Sequence, residues 1–353
     1  MPSKLALVFG ATGQIGSYMV DSLLDDGFFV FGVNRRTSVD NTWRLKKALA
    51  NKARFVLLNG DITDSGSVLR VFKEVSDYYY EENGPVQIYN FAASSHVAVS
   101  FNEPTSNIDV TLKGHLNLLE ICRDNPYNFP ILLFFANSSE TFGSEVDPSG
   151  FQYDNTLRQP NSPYAVAKLA AHHLNRIYRD SYGMQIASGT LFNTESPRRG
   201  ETFVTRKITK WFGELVANRG LIKSKLQLGN LDACRDWTHA CDTVKAIRLM
   251  MERPKLEDFL VASGQTHSIA QLLETAYQTA VDATHIELPP LQDCYEINNS
   301  FLRPNEVKYL KGWPEKLYRY GWKPAITFKQ LVREMVISDI FLSGGKDYIK
   351  CLN

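Results

Sequence analysis

Tyr164 and Lys168 stand four residues apart in SPYAVAK, a spacing that sets both on one face of a helix. An ammonium close to a phenol favours the phenolate and lowers its pKa towards the working pH, which makes the tyrosine a usable general base or acid. A second group lies in NSSETFG, residues 137–143, where Ser138, Ser139 and Glu140 follow the apolar run ILLFFA. Such a run fits a strand buried on both faces, and ligands collect at the carboxyl ends of these strands in open α/β sheets. Glu140 therefore either faces a ligand or helps the serines satisfy backbone donors at a helix start.

GATGQIG supplies a third group, with Gly10, Gly13 and Gly16 spaced GxxGxxG between the first strand and a helix. Glycines here permit a tight turn and close approach of a pyrophosphate to the helix N-terminus, although a Gly-rich turn can also be merely structural. Thr12, Gln14 and Ile15 of the same turn complete the expected dinucleotide contact. The second strand ends at VNRR, where a binder of the unphosphorylated cofactor usually offers an acid to the ribose hydroxyls. Arg35 and Arg36 instead offer a charge-assisted grip on a ribose phosphate, so NADP is expected over NAD, the alternative being a solvated basic loop. Asp61 and Ile62 in NGDIT are placed to flank the adenine, and Ala92 and Ala93 in NFAAS let a fourth strand approach the cofactor closely.

The elements that position these groups follow a βαβ rhythm. Apolar runs LALVFG, FFVFGV, RFVLLNGD, VQIYNFAA, ILLFFANS and IASGTLFN alternate with helical patterns, the first helix starting at about Ser17. The expectation is an α/β protein with a Rossmann-type, doubly wound parallel sheet. The pattern loosens after Asn193 and a further apolar strand, DFLVASG, appears at 258–264. Residues 1–192, with 240–264 returning to them, are expected to bind NADP, and 193–239 with 265–353 to form a smaller substrate lobe across a cleft.

A chain of 353 residues can bury a full core, and 39 Lys plus Arg against 38 Asp plus Glu give no global argument for nucleic acid or acidic membrane as a partner. MPSKLALVFG runs into a strand without a cleavable hydrophobic segment, and no stretch approaches membrane-spanning length, so a cytoplasmic protein is expected. Cys122, Cys234, Cys241, Cys294 and Cys351 are scattered and the seven histidines show no ligand spacing, so neither disulfides nor a metal is expected.

The glycine turn, NxAA strand, Ser-bearing strand end and YxxxK helix together resemble the extended short-chain dehydrogenase/reductases. In that family the hydroxyl after the fifth strand, here Ser138, hydrogen-bonds the reacting sugar hydroxyl. RRTSVDNTWR, IYNFAASSHVAVSF, FNTESPRRGETFVTRKI, LGNLDACRDWTHA and FLRPNEV extend the likeness over nearly the whole chain to GDP-mannose 4,6-dehydratases. The resemblance implies internal hydride transfer through tightly held NADP. Tyr164 would remove the 4-hydroxyl proton as hydride leaves C4, and Glu140 would then remove the acidified C5 proton. Loss of the 6-hydroxyl as water would allow the hydride to return at C6. Ser138, Glu140, Tyr164 and Lys168 form the implied catalytic set, and Glu140 separates dehydration from simple ketoreduction.

By the same resemblance Ser95, Asn193, Val204, Lys207, Arg235, Arg303 and Glu306 bind the GDP-sugar. Arg235 and Arg303 could alternatively pair with Asp236 and Glu306, and Ser95 and His96 either touch the cofactor or close a loop, with His96 left without a role. Ser138 stands where the family usually has Thr, and Thr194 where it usually has His. The latter alters the sugar-pocket wall and keeps GDP-manno-heptose as an alternative substrate. An epimerase or reductase, or a catalytically silent NADP-binding protein, are the other readings. A homodimer or homotetramer is implied, with RRTSVDNTWR helping neighbouring cofactor sites to meet.

Overall fold

The computed structural model describes residues 4–80, 83–301 and 305–350. Six strands, β1 (Leu5–Phe9), β2 (Phe29–Asn34), β3 (Phe55–Asn59), β4 (Val86–Asn90), β5 (Ile131–Ser138) and β6 (Ile186–Leu191), alternate with helices along the first half. They join a seventh strand, Asp258–Val261, in one parallel sheet ordered Asp258–Val261, β6, β5, β4, β1, β2, β3. The chain order reverses between β1 and β4, where a doubly wound sheet opens its ligand crevice at the carboxyl ends of the strands.

Strand composition follows from burial on both faces. Leu5, Leu7 and Phe9 of β1 enter one apolar layer with Phe72 and Leu118, while Ala6 and Val8 enter the other with Met19, Leu23 and Ile247. Alternate side chains thus serve opposite layers, and every residue of β1 is buried. A third apolar cluster joins the helices Val204–Ala217, Ile269–Ala283 and Phe328–Leu342 beyond the sheet.

The first helix, α1, begins at Gln14 and not near Ser17, because Gly13 serves as its N-cap in extended conformation. No side chain caps it. Its first-turn N–H groups therefore face outward without the usual local acceptor, as a helix that receives an anion requires.

Cys122, Cys234, Cys241 and Cys294 are free thiols, and Cys351 lies outside the described residues. Among the described residues no helix is long and apolar enough to cross a membrane.

Candidate active site

A cavity of about 630 Å³ opens over the carboxyl ends of the strands and is lined by residues of the sheet's strand ends and of the chain beyond Asn193. Gly10, Thr12, Gly13, Gln14, Ile15 and Gly16 line it, as do Ala92, Ala93 and Ser95. The turn is as tight as its glycines imply: a Cβ on Gly16 would come within 2.2 Å of the Gly10 carbonyl oxygen, and Gly10 has φ +76° with the Ala92 backbone beside it. Backbone here approaches backbone, so side chains are excluded on steric grounds. Uncapped α1 and the stripped turn fit a pyrophosphate.

Ser138, Glu140, Tyr164 and Lys168 line the same cavity. Ser138 ends β5, and its Oγ accepts the Glu140 backbone N–H at 3.2 Å, capping a single 3₁₀ turn, Ser139–Phe142. Capping therefore falls to the serine hydroxyl, and Glu140, only 8% exposed, lines the cavity. The helix Pro163–Tyr182 starts at the Ser162 cap and brings Tyr164 within hydrogen-bonding reach of Ser138.

One expectation needs correction. Lys168 does not lower the Tyr164 phenol: burial pushes it up to about 12, Glu140 adds to the rise, and Ser138 and Arg199 oppose it. The lysine Nζ donates instead to the Ala136 carbonyl at 2.6 Å, above the Phe135 ring, and burial drives its own pKa down to about 7. Desolvation of both groups outweighs their proximity.

A stability signature follows. Because the folded Lys168 value lies below its ordinary 10.5, the unfolded chain holds more protons between about 7 and 10.5, and folding stability rises with pH in that window. Lys168→Met should flatten the rise by roughly 1 kcal/mol per pH unit. Urea unfolding at a series of pH values checks this, and an unchanged slope would contradict it.

Asn193, Val204, Lys207, Arg235 and Glu306 also line the cavity. Asn193 Oδ1 is buried without a hydrogen-bond partner, as an acceptor awaiting a ligand donor would be. Lys207 Nζ sits 3.6 Å from the Phe301 ring centroid. Arg235 donates to Glu306 at 2.7 Å. Its carboxylate partner is thus not the neighbouring Asp236, which accepts bonds from the backbone N–H groups of Ser263, Gly264 and Gly312. Arg303 lies outside the described residues.

Arg35, Arg36, Asp61 and Ile62 stand outside this lining. Arg35 and Arg36 are exposed, Asp61 accepts from the Thr63 backbone and hydroxyl, and Ile62 is buried against Gly114. Conversely, the cavity includes residues that spacing alone did not single out. Arg44 donates from Nε to the Arg198 carbonyl at 2.7 Å, tying the segment after β2 to the lobe. Arg199 pairs with buried Glu195 at 3.3 Å and packs on Phe203. Both arginines belong to segments that carried the family resemblance, which was their only sequence signal.

A model of the GDP-mannose 4,6-dehydratase family matches residues 7–335. The chain belongs to that family. It is 40% identical over 350 residues to GDP-mannose 4,6 dehydratase 1 of Arabidopsis thaliana, covering 97% of this chain and 91% of that protein. It is 38% identical over 362 residues to GDP-mannose 4,6-dehydratase of Vibrio cholerae, covering 96% and 94%. Among solved structures, Thermus thermophilus UDP-glucose 4-epimerase in complex with NAD aligns with TM-score 0.78 at 26% identity over 95% of this chain and 98% of that one. The dTDP-glucose 4,6-dehydratase DesIV of Streptomyces venezuelae shares the fold at TM-score 0.80 and 22% identity, covering 96% of this chain and 98% of that one.

Proposed function

We propose that the chain dehydrates GDP-mannose to GDP-4-keto-6-deoxymannose with NADP as an internal hydride carrier. The observation that carries this reading is a carboxylate, Glu140, lining the same cavity as Ser138 and Tyr164, in a chain of this family. The relatives' names favour mannose over the heptose. Bound nicotinamide would supply the hydride chemistry, accepting hydride from sugar C4 and returning it at C6.

The chain's own residues handle protons and orientation. Tyr164 takes the proton of the 4-hydroxyl while Ser138 holds that hydroxyl through a hydrogen bond. The 4-ketone makes the C5 hydrogen acidic, and Glu140 removes it, then protonates the 6-hydroxyl as it leaves as water. A simple ketoreductase has no step for that carboxylate. Burial holds the phenol at about 12 even with the Arg199 charge and the Ser138 hydrogen bond opposing the rise, and a cationic oxidised nicotinamide bound beside it would lower it further towards neutral pH.

Residues 1–192 with 240–264 hold the cofactor in this reading, and 193–239 with 265–353 hold the GDP-sugar. Lys207 and Arg235 supply cationic groups for the nucleotide end, and Asn193 Oδ1 accepts a substrate hydroxyl. Val166 and Ile177 are exposed on one face of the helix Pro163–Tyr182, which supports a second copy covering that face.

Incubation with GDP-mannose and no added cofactor tests the reaction. The expected product is lighter by one water, with no net change in nicotinamide absorbance, because the hydride is returned. Stoichiometric build-up of NADPH would identify a net oxidation instead, and an isomer of unchanged mass would identify an epimerase.

A further inference from the structure

A second cleft, of about 460 Å³, lies apart from the catalytic cavity and shares none of its lining. Arg35 contributes from the end of β2, Thr63 from the loop after β3, and Asp109 and Lys113 from a single π turn that links the short helix Pro104–Ile108 to the helix Gly114–Asp124. We infer that this cleft receives the monoester phosphate on the adenosine ribose, and that Lys113 is the second cation, beside Arg35, that distinguishes NADP from NAD. The inference rests on the NADP reading given above and adds to it a residue from a different element.

Three observations carry it. First, β2 and β3 are neighbours whose last residues, Asn34 and Asn59, pair in register, and Arg35 and Thr63 follow those strand ends, so the cleft sits at the carboxyl edge of the sheet, the edge at which a doubly wound sheet binds a dinucleotide. Second, Arg35 and Lys113 make no hydrogen bond or ion pair with any described residue, so both charges are available to one ligand. Third, Lys113 is held in register with that edge. Asn117 Nδ2 donates to the carbonyls of Ile62 and Thr63, each at 3.1 Å, and Gly114 lies so close to Ile62 that a Cβ would meet its Cγ2 at 2.6 Å. The residue immediately before Gly114 is therefore fixed over the β3 loop.

The π turn matters to the geometry. Residues 109, 110 and 113 of this turn all line the cleft, and π turns recur at functional positions. Asp109 brings a carboxylate to the same cleft. It can accept from amino or hydroxyl groups of the nucleotide, and it opposes the phosphate, so its charge sets how strongly the two cations act. Two cations and one carboxylate leave a net positive site, suited to a phosphate monoester and poor for an unmodified ribose.

NADPH and NADH titrations read by their own fluorescence, on protein freed of carried nucleotide, test the inference without reference to activity. Wild type should prefer NADPH. Lys113→Met should weaken NADPH by about 10- to 100-fold, the scale of one charge-assisted contact, and leave NADH within about twofold. Arg35→Met should act likewise, and Asp109→Asn should tighten NADPH, opposite in sign. A wild type indifferent to the phosphate would overturn the NADP reading itself. A wild type that prefers NADPH, with that preference lost in Arg35→Met but intact in Lys113→Met, would leave the NADP reading standing and overturn the assignment of Lys113.

Discussion

Glu140→Gln should lower formation of dehydrated GDP-sugar by about 10²- to 10⁴-fold, the usual scale of a lost general base. The amide keeps size and hydrogen-bonding capacity, and the 3₁₀ turn keeps its cap because Ser138 provides it. What disappears is a group able to take the C5 proton. Tyr164→Phe should fail earlier, since no group then takes the 4-hydroxyl proton and no reduced cofactor forms. In a single turnover Glu140→Gln should accumulate both 4-ketone and NADPH, and Tyr164→Phe neither. Solvent-deuterium entry at C5 is the companion measurement. Near-normal dehydration by Glu140→Gln, with deuterium still entering, would remove this carboxylate from the mechanism.

The largest stability effect is expected at Asp339, more than 30 residues beyond the last lining residue in sequence. Its carboxylate accepts from Arg206 Nε at 2.8 Å and from the Thr209 hydroxyl at 2.7 Å, and Arg206 and Asp339 are 2% and 1% exposed. Asp339→Ala strands a buried guanidinium and should cost about 3 to 5 kcal/mol of folding stability. Replacing both residues, Arg206→Met with Asp339→Leu, removes the stranded charge and should recover most of that loss. Ligand binding should not recover with it. Arg206 also donates to the carbonyls of Pro197 and Arg199, which fix the loop that carries Arg199 and Phe203 into the cavity. Urea midpoints and nucleotide titrations on both variants separate the two effects, and equal recovery of both would show that the loop holds without its donor.

Much of the sheet was legible because its strands are buried on both faces and read as unbroken apolar runs; ILLFFANS marked β5 to its final residue. The chemistry at strand ends was legible for the same reason, since a carboxylate closing such a run is costly to bury unless a ligand or a backbone donor meets it. Longer-range encounters were not. Nothing in local spacing joins Arg44 to the Arg198 carbonyl, which meet when the segment after β2 packs on the chain beyond Asn193, or Arg235 to Glu306 and Arg206 to Asp339, which meet when distant segments of that later part pack together. Helix spacing foretold that Tyr164 and Lys168 share a face but not their electrostatics, because the burial that raises the Tyr164 pKa against expectation, and lowers that of Lys168, is a property of the packed whole. The start of α1 was misplaced by three residues because a glycine N-cap carries no capping side chain to announce it.

The strand Asp258–Val261 completes the sheet beside β6 only after the chain has left for the lobe and returned. During synthesis β6 must therefore wait until Asp258–Val261 has emerged before its edge is covered, an interval in which Ile186–Leu191, buried throughout in the finished fold, presents unpaired N–H and C=O groups. A chain released at residue 192 would expose that edge permanently and should aggregate instead of yielding a separate nucleotide-binding unit. Recombination between relatives meets the same constraint: a foreign segment spanning from the end of β6 through the return strand can be exchanged as one block only if that strand arrives in register with the resident β6.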